Sequence, residues 1–288
     1  ADNIQDMVLN CQLPPEVCDA VQEAVERLTA QCGTASLAVR SSAIGEDTFY
    51  SFAGQYASFL NVQPADVLER YREVLASKFS AKAIYYFLSH SMSEADLAMS
   101  AGVMAMSDAA VSGVLYTRDP VRPRDGCLLV NAVPGLGKPL MDGEVPPDVF
   151  KIAREDRSYK VECVAEKREH LVMRGQGVSV EPVPRAARRK PCLDDTALQR
   201  LADCAMAIEQ HYGVPQDVEW AIDGQGRLTV LQTRPLRIME ESAPVDPSMI
   251  EGATLLLENG STICPGAGAG PVFHAISNKD LPDIPDDA

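Results

Sequence analysis

Asp217-Val218-Glu219-Trp220-Ala221, then a turn at Asp223-Gly224-Gln225-Gly226, then Leu231-Gln232-Thr233-Arg234-Pro235 is the stretch on which the reading of the fold turns. Two runs of alternating residues around a Gly-containing turn predict a β-hairpin. With Asp223 paired to Gly226, Glu219 stands opposite Val230, and the period of two puts Glu219, Gln232 and Arg234 on one face. Val218, Trp220, Ile222 and Leu231 then make the apolar face. A carboxylate, an amide oxygen and a guanidinium side by side suit a Mg-polyphosphate group, because the hard cation takes oxygen ligands and Arg clamps phosphate. An edge hairpin with a polar, solvated face fits the same residues equally well, so the segment alone leaves both readings open.

The chain around it has 288 residues, 46% hydrophobic and 23% charged, with a formal net charge of −15. That is globular composition, long enough for one large domain or two. So acidic a chain argues against a general nucleic-acid binder, which needs clustered Lys and Arg, but permits a small phosphate ligand in a local basic pocket. The longest apolar runs fall far short of the ~20 residues of a membrane span, and no signal-peptide pattern opens the chain. The eight cysteines include no C-x-x-C pair, which argues against a zinc ribbon or a redox motif. A reduced, cytoplasmic protein is the expectation. The four histidines (His90, His170, His211 and His274) have no metal-ligand spacing.

Outward from the hairpin, the patterns predict a mixed α/β chain. Helices are expected at 14–30, 64–79 and 81–90, and one opened by Asp194 or Asp195 ends at Gly213. Strands are expected at 36–39, 97–106, 111–117 and 127–133, with a turn-rich loop from Arg40 through Asn61. After residue 152 the chain is charged and weakly patterned, and the basic run at 185–190 reads as a solvated loop. Residues 240–244 read as a linker.

Arg40-Ser41-Ser42 at the end of a buried strand offers an anion contact. Ser51-Phe52-Ala53-Gly54-Gln55 follows, with small residues that let backbone N–H groups approach phosphate. Each piece alone is better read as an irregular loop held by side-chain-to-backbone bonds. Gly135-Leu136-Gly137-Lys138 is not a P-loop, since Pro139 stands where the hydroxyl belongs. Gly266-Ala267-Gly268-Ala269-Gly270 lacks the βαβ context of a dinucleotide site.

Taken in order, residues 38–47, 51–62, 112–117, 135–148 and 215–235 resemble the nucleotide-binding module of the phosphoenolpyruvate synthase and pyruvate phosphate dikinase family, over about residues 10–238. The resemblance implies an ATP-grasp fold that clasps ATP between two subdomains. It implies that Arg40 and Arg234 contact the phosphates as the catalytic pair, that Ser51, Gly54 and Gln55 cover them, and that Glu219 and Gln232 hold Mg2+ with ATP. In the family ATP is cleaved to AMP, and a phosphoryl group passes to a His on a swivelling domain and on to pyruvate or another acceptor. A homodimer is kept as a candidate assembly.

The expected organisation is a module at 1–238, a linker at 239–251 and the start of a swivelling domain at 252–288. Four departures stand out. The family's opening Gly-Gly-Lys is absent, so the module is expected to be incomplete at its N-terminus. The Gly-Gly-x-x-x-His loop is not reached either, and His274 does not match it, so this chain alone is expected not to turn over. Val103-Met104-Ala105-Met106 replaces the usual Val-Gln before the Met of the adenine-side strand. Lys138 stands where an acidic residue is common. The competing readings are a non-catalytic nucleotide-binding or interaction module on the same scaffold, and an acetyl-coenzyme A synthetase-like ATP-grasp enzyme.

Overall fold

A computed structural model describes residues 2–43, 56–89 and 98–238. Strands β1 (Leu37–Ala43), β2 (Ser58–Val62) and β3 (Met99–Ala105) form a small antiparallel sheet in the order β2-β1-β3. Helices α1 (Asp2–Asn10), α2 (Pro15–Cys32), α3 (Val67–Ser77) and α4 (Ala81–Ser89) accompany it. Alternation along β1 divides its side chains. Leu37 and Val39, both fully buried, pack with Val25 of α2 and Val67 and Val74 of α3. Ala38 and Arg40 point the other way, into a cleft.

The larger sheet is antiparallel and six-stranded, in the order β11-β10-β4-β5-β6-β7. Its strands are β4 (Ala109–Tyr116), β5 (Cys127–Pro134), β6 (Asp148–Ala153), β7 (Tyr159–Cys163), β10 (Gln216–Asp223) and β11 (Leu228–Pro235). Its back face packs on helix α6 (Asp195–Tyr212), joining Leu115, Val130, Phe150, Ile152, Val218 and Trp220 to Leu198, Leu201 and Ala205. Asp194 caps α6 by accepting from Ala197 N at 2.8 Å, and Gly213 ends it in the left-handed region at φ 72°. Gly113 is required where β4 passes under Trp220. A Cβ there would lie 1.9 Å from the Asn131 carbonyl oxygen and 2.8 Å from the indole.

A two-stranded hairpin, β8 (Glu169–Arg174) and β9 (Gly177–Pro182), ties the two sheets together. At one end Leu171 O accepts from Leu136 N at 2.8 Å, beside Gly135. At the other, Asn61 of β2, itself at φ 55°, donates from Nδ2 to Gly175 O at 3.2 Å and Gly177 O at 2.5 Å, and Ser36 Oγ donates to its Oδ1 at 2.6 Å.

The mixed helix-and-sheet class agrees with the sequence, and several boundaries are corrected. The loop expected through Asn61 contains strand β2, and the strand expected at 36–39 continues to Ala43. The helix expected at 64–79 is a 3-10 turn at Pro64–Asp66 followed by α3. The weakly patterned stretch after residue 152 holds β7 and the β8–β9 hairpin. Among the described residues, no helix is long and apolar enough to cross a membrane.

Candidate functional site

The hairpin that opened the sequence analysis is β10–β11, but its register differs from the expected one. The turn is one residue longer. Asp223 N donates to Arg227 O at 3.2 Å and Gly226 N to Asp223 O at 2.9 Å, with Gly226 at φ 78°. This is a three-residue loop that needs a left-handed residue before the second strand. Asp223 Oδ1 stabilises it by accepting from Gln225 N at 3.0 Å and Arg227 N at 2.8 Å.

One extra turn residue alone would have flipped β11 and sent Gln232 and Arg234 to the wrong face. A bulge at Leu231 reverses the flip. Trp220 pairs with Val230, and the next pair is Glu219 with Gln232, not Val230. Glu219 and Gln232 are therefore directly opposite on adjacent strands, and Asp217 is opposite Arg234. The bulge also moves Leu231 off the expected apolar face, into a cluster with Leu136, Leu171 and Ala221 on the cleft side.

Asp217 is the residue that sequence reasoning passed over. It lies two residues before Glu219, hence on the same face, which was signal enough to find it. Arg234 Nε donates to Asp217 Oδ2 at 2.9 Å. Burial pushes the Asp217 carboxyl above its ordinary value, while Arg234 pulls it down without cancelling the effect. Tyr116 is its neighbour across β4, and its phenol is likewise raised, first by burial and then by the Asp217 charge. The start of β10 is fixed from below. Gln216 N donates to Thr117 Oγ1 at 2.8 Å, and Thr233 Oγ1 donates to Gln216 Oε1 at 2.9 Å.

Arg40 reaches this face from the other sheet, donating from its guanidinium to Gln232 Oε1. Ser41 is buried at the cleft and Ser42 faces outward. Ser51, Gly54 and Gln55 lie outside the described residues, as does His90. Arg40, Glu219, Gln232 and Arg234 share one cleft of about 300 Å3 between the two sheets. Away from the Glu219–Gln232 pair its wall is apolar, with Met106 packed against Leu136, Ala221 and Leu231, and with Ala38 and Met104 also lining it. Lys138, which begins the short helix α5 (Lys138–Met141), and Asp142 line its flank.

Among the described residues, no three His, Cys, Asp or Glu side chains converge as a ready-made metal cage. The donors present fit Mg2+ in another way. Glu219 and Gln232 offer hard oxygens side by side, and such a cation keeps its remaining positions for water and ligand phosphates. A cleft with two guanidiniums in one part and thioethers and aliphatic groups in another suits a ligand with a polyanionic end and an apolar end.

Comparison with known proteins agrees with that chemistry. Residues 1–252 match the family described as the pyruvate phosphate dikinase AMP/ATP-binding domain. The phosphoenolpyruvate synthase of Escherichia coli (strain K12) is 36% identical over 298 residues, covering 96% of this chain and 37% of that protein. The probable phosphoenolpyruvate synthase of Pyrococcus abyssi is 32% identical over 98% of this chain and 36% of its own length. That of Archaeoglobus fulgidus is 35% identical over 86% of this chain and 33% of its own length. The chain thus spans about a third of the length of these relatives.

Proposed function

The chain belongs to the pyruvate phosphate dikinase AMP/ATP-binding domain family, and we propose that it binds ATP with Mg2+ and takes part in an AMP-forming phosphoryl transfer to a His on a swivelling domain. On this reading residues 1–238 are an ATP-grasp-type module, 239–251 a linker and 252–288 the start of the swivelling domain. The names of the relatives make pyruvate the acceptor to try first, and a cytoplasmic setting suits that reaction.

Each residue then has a defined task. Arg234, anchored by Asp217, holds the phosphate chain from the six-stranded sheet. Arg40 holds it from the three-stranded sheet, releasing Gln232 to do so. Glu219 and Gln232 would hold Mg2+, which supplies charge neutralisation at the phosphates when bound. Phosphoryl transfer of this kind depends mainly on positioning and charge stabilisation, which two guanidiniums converging from opposite sheets provide. Leu136, Leu231, Met104 and Met106 exclude water from the base end. Ser51, Gly54 and Gln55 are assigned to cover the phosphates.

The observation that carries this reading is the convergence of Arg40, Glu219, Gln232 and Arg234 from two sheets on one cleft with an apolar far end. Calorimetric titration with ATP, with and without Mg2+, tests it. The expected result is Mg-dependent binding that Glu219→Ala and Arg234→Ala each weaken at least tenfold, roughly the loss of one charge-assisted contact. Binding indifferent to both substitutions would favour a non-catalytic module on the same scaffold.

A further inference from the structure

Three methionines, Met104, Met106 and Met141, line the cleft, and their sulfur chemistry plays no part in holding phosphate. A thioether packs as an apolar group, yet it is also a side chain that peroxides convert to a polar sulfoxide. Met141, the last residue of α5, is 39% exposed, and Met104 and Met106 are half-buried. All three are therefore open to a small oxidant that enters the cleft.

The strands set where these sulfurs stand. On β3, Gly102 pairs with Arg40 and Met104 pairs with Ala38. Met104 is thus one pleat repeat, about 7 Å, from the level of Arg40. Met106 follows directly after β3. Its N–H donates to Ser36 O at 2.9 Å, and its side chain packs with the cluster of Leu136, Leu171 and Ala221. Met141 comes to the same wall from the six-stranded side. Its methyl group lies 3.8 Å from where a Cβ on Gly137 would stand, and that point is 3.1 Å from Ser112 Oγ. Ser112 is opposite Ala221 in register. Met106 and Met141 therefore both reach the neighbourhood of Ala221, and Met104 continues the apolar wall towards Arg40.

Resting on the nucleotide reading above, we propose that Met141, backed by Met104 and Met106, is an oxidative modification site through which hydrogen peroxide shuts the cleft to nucleotide. A thioether lone pair attacks one peroxide oxygen, and an S–O bond forms as the O–O bond breaks. The proton on the transferred oxygen passes to the departing hydroxide, which leaves as water. Sulfur loses two electrons and the peroxide gains them. The product is a sulfoxide, whose oxygen is a hydrogen-bond acceptor set into an apolar wall. Against an apolar part of a ligand that oxygen gives up water and finds no partner, which disfavours binding roughly tenfold for each sulfoxide. In the free protein the Met141 sulfoxide stays hydrated, so folding is little affected. Methionine sulfoxide reductases restore the thioether, which makes the modification reversible.

Mg-ATP affinity before and after mild hydrogen peroxide tests this in the wild type, in Met141→Leu and in the triple variant Met104→Leu, Met106→Leu, Met141→Leu, with peptide mass spectrometry locating the sulfoxides. The wild type is expected to oxidise first at Met141 and to lose about tenfold or more in affinity, with its melting temperature little changed. Dithiothreitol, which reverses cysteine disulfides and sulfenic acids, is expected not to restore the affinity, and methionine sulfoxide reductases for both epimers are expected to restore it. Relative to its own untreated affinity, Met141→Leu should lose less than the wild type and the triple variant almost nothing. Met141 resisting peroxide, sulfoxides at all three positions with affinity unchanged, a loss that dithiothreitol reverses, or equal losses in the wild type and the triple variant would each overturn the inference while leaving nucleotide binding intact. A wild type that binds no Mg-ATP before peroxide is added overturns nucleotide binding itself, and this inference with it.

Discussion

The Arg40 guanidinium donates to Gln232 Oε1 across the gap between the three-stranded and six-stranded sheets. Two residues 192 positions apart in the chain thus meet across the charged end of the cleft. A phosphate ligand offers Arg40 a better partner, because an anionic acceptor complements the guanidinium charge and can take two parallel N–H bonds from it. Arg40→Ala is therefore expected to lower Mg-ATP affinity by roughly 10- to 100-fold. The melting temperature should stay within a few degrees, since a half-exposed bond to an amide contributes only about 1 kcal/mol. Calorimetry and a thermal melt on the same preparation check both halves.

Asp217 sets function against stability. Its carboxyl is raised by burial in spite of Arg234. An acid raised in the folded state contributes stability that is fully present below the unfolded aspartate range and is lost as pH rises through the elevated value. At pH 7 the charged group is thus a cost to folding, borne to anchor Arg234. Asp217→Asn should be neutral or stabilising at pH 7, and should lose that advantage at about pH 3, where the wild-type acid is also uncharged. It should also weaken Mg-ATP binding, because Arg234 is then less firmly oriented. Urea midpoints of the two proteins at both pH values, with calorimetry at pH 7, measure the trade.

Asp148 and Lys167 form a buried pair at 2.6 Å, with side chains 0% and 5% exposed. The carboxylate also accepts from Ala165 N at 2.9 Å and Cys192 N at 2.8 Å. Lys167→Met strands a buried carboxylate and is expected to cost about 3–5 kcal/mol in denaturant unfolding. The pair is not part of the cleft wall. Mg-ATP affinity of the folded variant should therefore be unchanged, and a large loss of affinity would show that the pair shapes the cleft.

Asn61 combines a left-handed backbone with two hydrogen bonds that dock the β8–β9 hairpin and a third accepted from Ser36. Asn61→Ala should cost roughly 2–4 kcal/mol, from backbone strain together with the lost bonds. Asn61→Gly, which tolerates the conformation but cannot make the bonds, should recover the strain part. Equal losses in the two variants would mean that the backbone conformation contributes nothing.

The elements legible in the sequence are those whose pattern is set by one buried face. Helix α2, with Pro in its first turn and Gly33 at its end, and helix α6, between Asp194 and Gly213, were readable for that reason. Strand β2 was not, because it is short and interrupted by Asn61 in a conformation that strands do not use. Strand β7 is exposed along its whole length, so it has no apolar alternation to read. At the site, the shared face of Glu219, Gln232 and Arg234 emerged from a register that was itself wrong. A longer turn and the Leu231 bulge each shifted β11 by one residue, and the two shifts together preserve the face. Bulges leave no trace in a hydrophobic pattern, so the true pairing of Glu219 with Gln232 could not be read from it. The bridge from Arg40 was likewise out of reach, since no local pattern reports a contact between distant strands.

The central claim is that the cleft between the two sheets holds ATP with its phosphates between Arg40 and Arg234 and a Mg2+ ion on Glu219 and Gln232. A crystal structure of the protein grown with Mg2+ and a non-hydrolysable ATP analogue tests it most directly. The predicted result is the triphosphate bridging the two arginines, the Arg40–Gln232 bond broken, Gln232 Oε1 turned to the metal and the base among Met104, Met106 and Leu136. A nucleotide bound elsewhere, or one lying in the cleft with its base at Arg234 and its phosphates at the apolar end, would contradict it.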